Sequence, residues 1–229
     1  GDSFAGRYCY GGFMFDVKGS CAFASKDKLK LLMGIFNSKI TPIYVEALNP
    51  TTTTQVGDLK RIPLLYPDNE QLDVIYKYVD ENVALAKNEW DGFEFSWDFQ
   101  HHPLLRKVST IAEAFDQWQA ECDDRFNQMK ANEEELNRIF IDIYGLQDEL
   151  TPEVEDKDVT VRKADLGRDI RSFISYAVGC MLGRYSLYNE GLLYAGGLGG
   201  DFGSLVEKIQ DYLHEQGKSR FQENEFYPD

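Results

Sequence analysis

The sequence lacks most of the signatures by which a chain declares its chemistry. No apolar run approaches the roughly 20 residues a helix needs to cross a bilayer. The best stretch, Phe173 to Leu182, is about ten residues long and is interrupted by Ser175 and Gly179. A helical membrane span is thereby excluded, and no secretory leader is expected ahead of the first strand-like segment. Cysteine is scarce and scattered: Cys9, Cys21, Cys122 and Cys180 form no CxxC pair. That spacing argues against zinc and against a disulfide framework, and it fits reduced thiols in a cytosolic protein. Histidine is rarer still, with 3 in 229 residues. His101-His102 has no other His or Cys at ligand spacing, so it reads as a solvent-facing linker and no metal is assigned. The glycine run Gly196 to Gly200 does not satisfy GxGxxG, and no Lys-Ser/Thr follows it as a phosphate loop requires. GxSxG and HExxH are also missing. The consecutive Glu133, Glu134 and Glu135 point in three directions on a helix and read as a solvated face. No catalytic residue is assigned.

What the sequence does hold is a core and an uneven charge. With 43% hydrophobic and 14% aromatic residues it can fold around a real interior. Net charge is −15, which taken alone disfavours a nucleic-acid partner. The distribution says more. Residues 1–65 carry eight Lys/Arg and five Asp/Glu, a balance of +3, whereas the rest carry sixteen against thirty-four, a balance of −18. Only the front of the chain suits a polyanion.

Along the chain, Tyr8, Tyr10, Phe13, Phe15, Val17, Cys21 and Phe23 alternate with small or polar residues between glycines, the pattern of a hairpin or two edge strands. Ser25 is placed to cap a helix carrying Leu29, Leu32, Met33 and Phe36, and Pro42 suits the first turn of a second, short helix. The stretch from Thr51 to Pro67 reads as extended or looped. Asp68 with Gln71 forms an approximate capping box for a helix burying Leu72, Ile75, Tyr76, Val79, Val83, Ala86 and Trp90. A long helix is expected from about Thr110 to Tyr144, roughly 50 Å at 1.5 Å per residue. It has an a/d-like seam with polar Arg125 and Asn132 in its middle, either buried against a partner helix or rotated to solvent. An acidic loop (148–158) ends it. A strongly amphipathic helix follows from Asp165 to Tyr185, with Ser175, Gly179 and Gly183 four apart and open to a close-packed partner, and then a weaker one from Phe202 to Leu213. The expected fold class is α+β: a small β-containing part over 1–67, a mostly α-helical region with one long helix over 68–195, and a glycine hinge, weak helix and polar tail over 196–229.

Particular segments add a resemblance. Gly34-Ile35-Phe36-Asn37-Ser38-Lys39, Leu48-Asn49-Pro50-Thr51 and the run from Gln55 to Pro63 resemble the close of the target-recognition region in large single-chain adenine DNA methyltransferases, a block shared with type IIG restriction-modification enzymes. More distinctive are Trp90-Asp91, Phe93-Glu94, Ser96-Trp97-Asp98-Phe99 with His102-Pro103-Leu104, then Ala164-Asp165-Leu166, the run from Arg168 to Met181, and Gly183 to Leu187. Together they resemble the PglX family, adenine-specific DNA methyltransferases of BREX phage-defence systems, over roughly residues 7–197. The resemblance implies N6-adenine methylation from S-adenosylmethionine in a longer parent, with the target base flipped out of double-stranded DNA. The family's glycine-rich cofactor loop and Asn-Pro-Pro-Tyr element are not found here. The nearest match, Asn49-Pro50-Thr51-Thr52, lacks the second proline and the aromatic. The chain is therefore expected to hold no S-adenosylmethionine, to lack a catalytic site, and to continue at both ends in its parent.

Within that reading the helical part is a spacer or a docking surface for other BREX proteins. A rival reading is a pure interaction module, open to a phage inhibitor, without DNA contact. If DNA is touched, the basic front should do it. Lys60 and Arg61, held outward by extended backbone after Gly57-Asp58, lead the candidates; Arg7, Lys18, Lys39, Thr52 and Thr53 follow as phosphate contacts.

Overall fold

A computed structural model describes residues 4–11, 14, 19–49, 51, 54–193 and 214. Among them are six helices and no strand: α1 (Lys26–Phe36), α2 (Ile40–Leu48), α3 (Val56–Leu59), α4 (Asn69–Asp91), α5 (Ile111–Tyr144) and α6 (Leu166–Met181). The expected α+β class is thus corrected to all-α. The alternation in the first 25 residues is real, but alternation makes a strand only where a neighbouring backbone supplies a ladder and one face is covered. Neither condition is met by the described residues there. Tyr8, Tyr10 and Phe23 stay exposed, and Tyr8 packs edge-on against Tyr10 with ring centroids 5.0 Å apart. None of the six helices is long and apolar enough to cross a membrane. The expected hinge and weak helix after Gly196 lie outside the described residues.

The chain divides into two compact units, residues 1–89 with 116–164 and residues 90–115 with 165–229. In the first, α1, α2, α4 and α5 enclose Leu31, Ile35, Ile40, Ile75, Val79, Leu136, Phe140 and Ile141. Gly34 is small for a reason: a Cβ there would sit 3.2 Å from the Phe140 ring and 3.4 Å from Ile75. The Asp68–Gln71 box forms reciprocally at the start of α4, with Gln71 N donating to Asp68 Oδ1 at 2.8 Å and Asp68 N to Gln71 Oε1 at 3.1 Å. At the end of α5, Gly145 takes φ +66, and Leu146 N reaches back to the Ile141 carbonyl at 3.0 Å, a left-handed stop that favours glycine.

The returning segment 150–164 lies along α5. Val159 and Val161 bury with Phe126 and Met129, and Lys163 Nζ sits 4.3 Å over the Phe126 ring. Two of the three consecutive glutamates are therefore not a solvated face. Glu134 accepts from Val154 N at 3.0 Å, and Glu133 accepts from the hydroxyl and amide of Thr160. Burial pushes the Glu133 carboxyl above its ordinary range, against the opposing pull of those bonds.

In the second unit α6 starts at Asp165, whose carboxylate accepts from Arg168 N at 2.6 Å. Asp169, fully buried, answers by accepting from Asp165 N at 3.0 Å and from Arg168 Nε at 2.6 Å. Phe99, Tyr176 and Tyr185 form the local core. Gly179, expected to admit a partner helix, is filled from within: a Cβ there would meet Tyr185 at 2.7 Å. Ser175 donates to Glu94 at 2.7 Å, and Gly183, at φ +73, closes the helix. His102, expected in a solvent-facing linker, is 1% exposed. Its ring lies 5.3 Å from Phe173, and Nδ1 accepts from Leu104 N at 3.2 Å.

Candidate nucleic-acid interface

Lys60 and Arg61 follow α3 on the surface of the first unit, both exposed. Their backbone is helical rather than extended: Lys60 has φ −69 and ψ −15, its amide donates to the Val56 carbonyl at 3.1 Å, and Arg61 N donates to that of Asp58 at 3.0 Å. Ile62, buried just beyond, anchors the turn from below. The approach from α2 is held by side chains. Asn49 Nδ2 donates to Asp58 Oδ2 at 2.7 Å and Gln55 N donates to the same oxygen at 2.9 Å. Thr51 donates both its amide (3.0 Å) and its hydroxyl (2.6 Å) to Asn49 Oδ1. Asn49 and Thr51, in the stretch closest to a base-holding element, thus serve a turn. The Asn49 bond, the Gln55 amide and the nearby Arg61 charge hold the Asp58 carboxyl below its ordinary range. An ionised Asp58 pulls on Arg61. Among the described residues no ion pair engages Lys60 or Arg61.

The other candidates separate. Arg7 is exposed, on backbone fixed by Gly6 N donating to Asn37 Oδ1 at 3.0 Å. Lys39 is half-buried. Its amide donates to Asn137 Oδ1 at 2.9 Å, and its charge helps depress the carboxyls of Glu153 and Glu155, so it already faces carboxylates. Lys18, Thr52 and Thr53 lie outside the described residues. Lys26 and Lys28, exposed at the start of α1, were not singled out by sequence reasoning, although the same charge count contains them. Lys30 is committed to Asp80 and lies over Tyr76. Among the described residues no group of three His, Cys, Asp or Glu side chains is gathered to hold a metal ion.

The mid-seam pair on α5 is buried: Arg125 is 8% and Asn132 1% exposed. Asn132 donates to Glu81 Oε2 at 3.1 Å and Asn82 Oδ1 at 2.9 Å, and accepts from Gln128 at 2.8 Å. The groove above it between α4 and α5, about 890 Å³, is lined by both cations and carboxylates, including Lys77, Arg138, Glu134 and Glu135. That mixture selects no one sign of ligand.

Comparison with known proteins says to which class the chain belongs. No family model matches the chain. It is 46% identical over 201 residues, 85% of its length, to a protein of Lacticaseibacillus casei named adenine-specific methyltransferase PglX. It is 29% identical over 210 residues, 84% of its length, to one of Escherichia coli named adenine-specific methyltransferase BrxX. The class is that of the adenine-specific methyltransferases. More narrowly the chain is PglX-like, and it spans 16% of the first relative and 17% of the second.

Proposed function

We propose that this chain is a non-catalytic region of an adenine-specific DNA methyltransferase of a bacterial BREX phage-defence system, contacting double-stranded DNA through the front of its first unit. In this reading the methyl donor, S-adenosylmethionine, and the base-holding residues belong to other parts of a longer cytoplasmic polypeptide. Here Lys60 and Arg61 fix the DNA backbone against them. The observation that carries the proposal is the exposed cationic couple Lys60 and Arg61, in no ion pair among the described residues, on a turn that Asn49 and Asp58 pin in place. It belongs to residues 1–65, whose balance is +3 in a chain of net charge −15. Fixed cations at a polyanion release counterions without reordering the loop that bears them. The likeness to two named adenine-specific methyltransferases supports the choice of partner.

Lysine footprinting tests it. The full-length protein is acetylated with and without duplex DNA, and labelling is read peptide by peptide. Lys60 is expected to be protected, while the equally exposed Lys107 in the second unit serves as the unprotected reference. Equal labelling of Lys60 with and without DNA, under conditions where DNA is bound, overturns the proposal.

A further inference from the structure

In the second unit α6 buries only one of its sides. Tyr176 and Cys180 turn inward to Phe99 and Tyr185, while Ile174, Val178, Met181 and Leu182, on the opposite side, are 56, 47, 79 and 73% exposed. Of the three charged residues in α6, Asp169 is buried, and Arg168 is bound to it and lies over the Phe93 ring. The third, Arg171, is exposed near the start of the helix, where its Nε donates to the Gly167 carbonyl at 2.7 Å. The open side is thus an apolar strip with one cation at its far end, and a strip of this extent marks a contact.

We propose that residues 202–213 of the same chain cover this strip as an amphipathic helix, so that α6 is interior to the second unit and not a docking site for other proteins. Complementarity and reach choose that occupant. Residues 202–213 lie outside the described ones, but their sequence supplies the matching stripe. Phe202, Leu205, Val206, Ile209, Tyr212 and Leu213 recur every three or four positions, with Glu207, Lys208 and Asp211 on the other side. His214, next in line, falls on the polar side of that stripe, and it is helical and exposed. Reach is set by Leu193, whose amide donates to the Arg184 carbonyl at 2.9 Å and so returns the chain to the end of α6. The eight residues 194–201, four of them glycine, extend to about 27 Å. That exceeds the length of α6, which at 16 residues is about 24 Å. A segment on so short a flexible tether meets α6 at an effective concentration on the order of millimolar, an advantage that a second copy or a separate protein lacks.

The test is a photo-cross-link in the full-length protein with Ile174→p-benzoylphenylalanine, the joined peptides being identified by mass spectrometry. The expected product joins position 174 to residues 202–213, with a yield unchanged on dilution. Adding Val206→Asp with Ile209→Asp should lower that yield several-fold, whereas Glu207→Gln with Lys208→Gln, on the polar side, should leave it unchanged. Links to a second copy, to a separate protein or to another stretch of the polypeptide overturn the proposal, as does an equal loss from both pairs. Where no link forms, a thermal cycle decides. Val178→Asp with Met181→Asp, and Val206→Asp with Ile209→Asp, should each lower the melting temperature of the full-length protein by several degrees. If the two stripes pack on each other, the four substitutions together cost no more than the larger of the two losses. Additive losses, or no loss from either pair, overturn it.

Discussion

Asn132 on α5 donates its side-chain amide to Asn82 Oδ1 on α4 at 2.9 Å from a position only 1% exposed. The same NH2 reaches Glu81 and the amide oxygen accepts from Gln128, so one buried side chain satisfies three neighbours. Arg125, one heptad earlier, is different. Its guanidinium lies 5.0 Å from the Trp118 ring centroid, and its Nη1 is buried with no hydrogen-bond partner among the described residues.

The two seam residues should therefore respond oppositely to leucine. Asn132→Leu leaves three polar groups unpaired and should cost about 1–3 kcal/mol. Arg125→Leu forfeits a cation–π contact of about 1 kcal/mol but relieves a desolvated charge, so the melting temperature should hold or rise. Thermal denaturation of the two single variants and the double variant decides. Equal losses from both would show that Arg125 has a partner of consequence.

His102 makes stability depend on pH. Burial lowers its pKa from 6.5 to about 4, only partly offset by the negative charge of Asp169. The unfolded chain therefore takes a proton below about 6.5, which the folded chain refuses until about 4. Stability is complete above 6.5 and is lost as pH falls through that window, by about 3 kcal/mol at most. His102→Asn keeps an acceptor for Leu104 N and does not titrate. Denaturant midpoints between pH 7.5 and 4.5 should fall more steeply for the parent than for this variant. Parallel curves would contradict the assignment. Glu133, whose raised pKa acts in the opposite sense, is common to both proteins and cancels in the comparison.

Two glycines predict opposite outcomes. Gly179→Ala drives a Cβ into Tyr185, at 2.7 and 2.9 Å from its ring carbons, and should destabilise by about 1–3 kcal/mol. Gly57→Ala in α3 meets nothing within 4 Å and should stabilise by about 0.4–1 kcal/mol by restricting the unfolded chain. Melting temperatures of the two variants check both signs.

The helices were legible because burial follows period. α4, α5 and α6 each fall where apolar residues recur every three or four positions, and the Asp68 and Asp165 caps mark two of their starts. What periodicity cannot encode is which segment covers which. Tyr8 and Tyr10 alternate like a strand, yet no neighbouring backbone among the described residues pairs with them. His102 looked solvated because nothing in its own segment announces that Phe173 and Tyr176, some seventy positions away along the chain, close over it. Glu133 and Glu134 looked like surface charge until the 150–164 return supplied their donors. At the candidate interface, charge counting put Lys60 and Arg61 forward but misjudged their backbone. The Asn49–Asp58 bond, spanning nine residues, curls it into a helical turn. The same count passed over Lys26 and Lys28, because charge alone does not separate exposed lysines from one committed to a partner, as Lys30 is to Asp80.

The DNA-binding claim rests most directly on the salt dependence of the full-length protein carrying Lys60→Glu with Arg61→Glu. Each phosphate neutralised adds about 0.9 to the slope of log affinity against log salt, so losing two contacts should flatten it by nearly 2 and weaken binding near 0.1 M salt. Circular dichroism should be unchanged, since both side chains are exposed and the turn is held by Asn49 and Asp58. A folded double variant that keeps the parent's affinity and slope would show that these residues do not touch DNA.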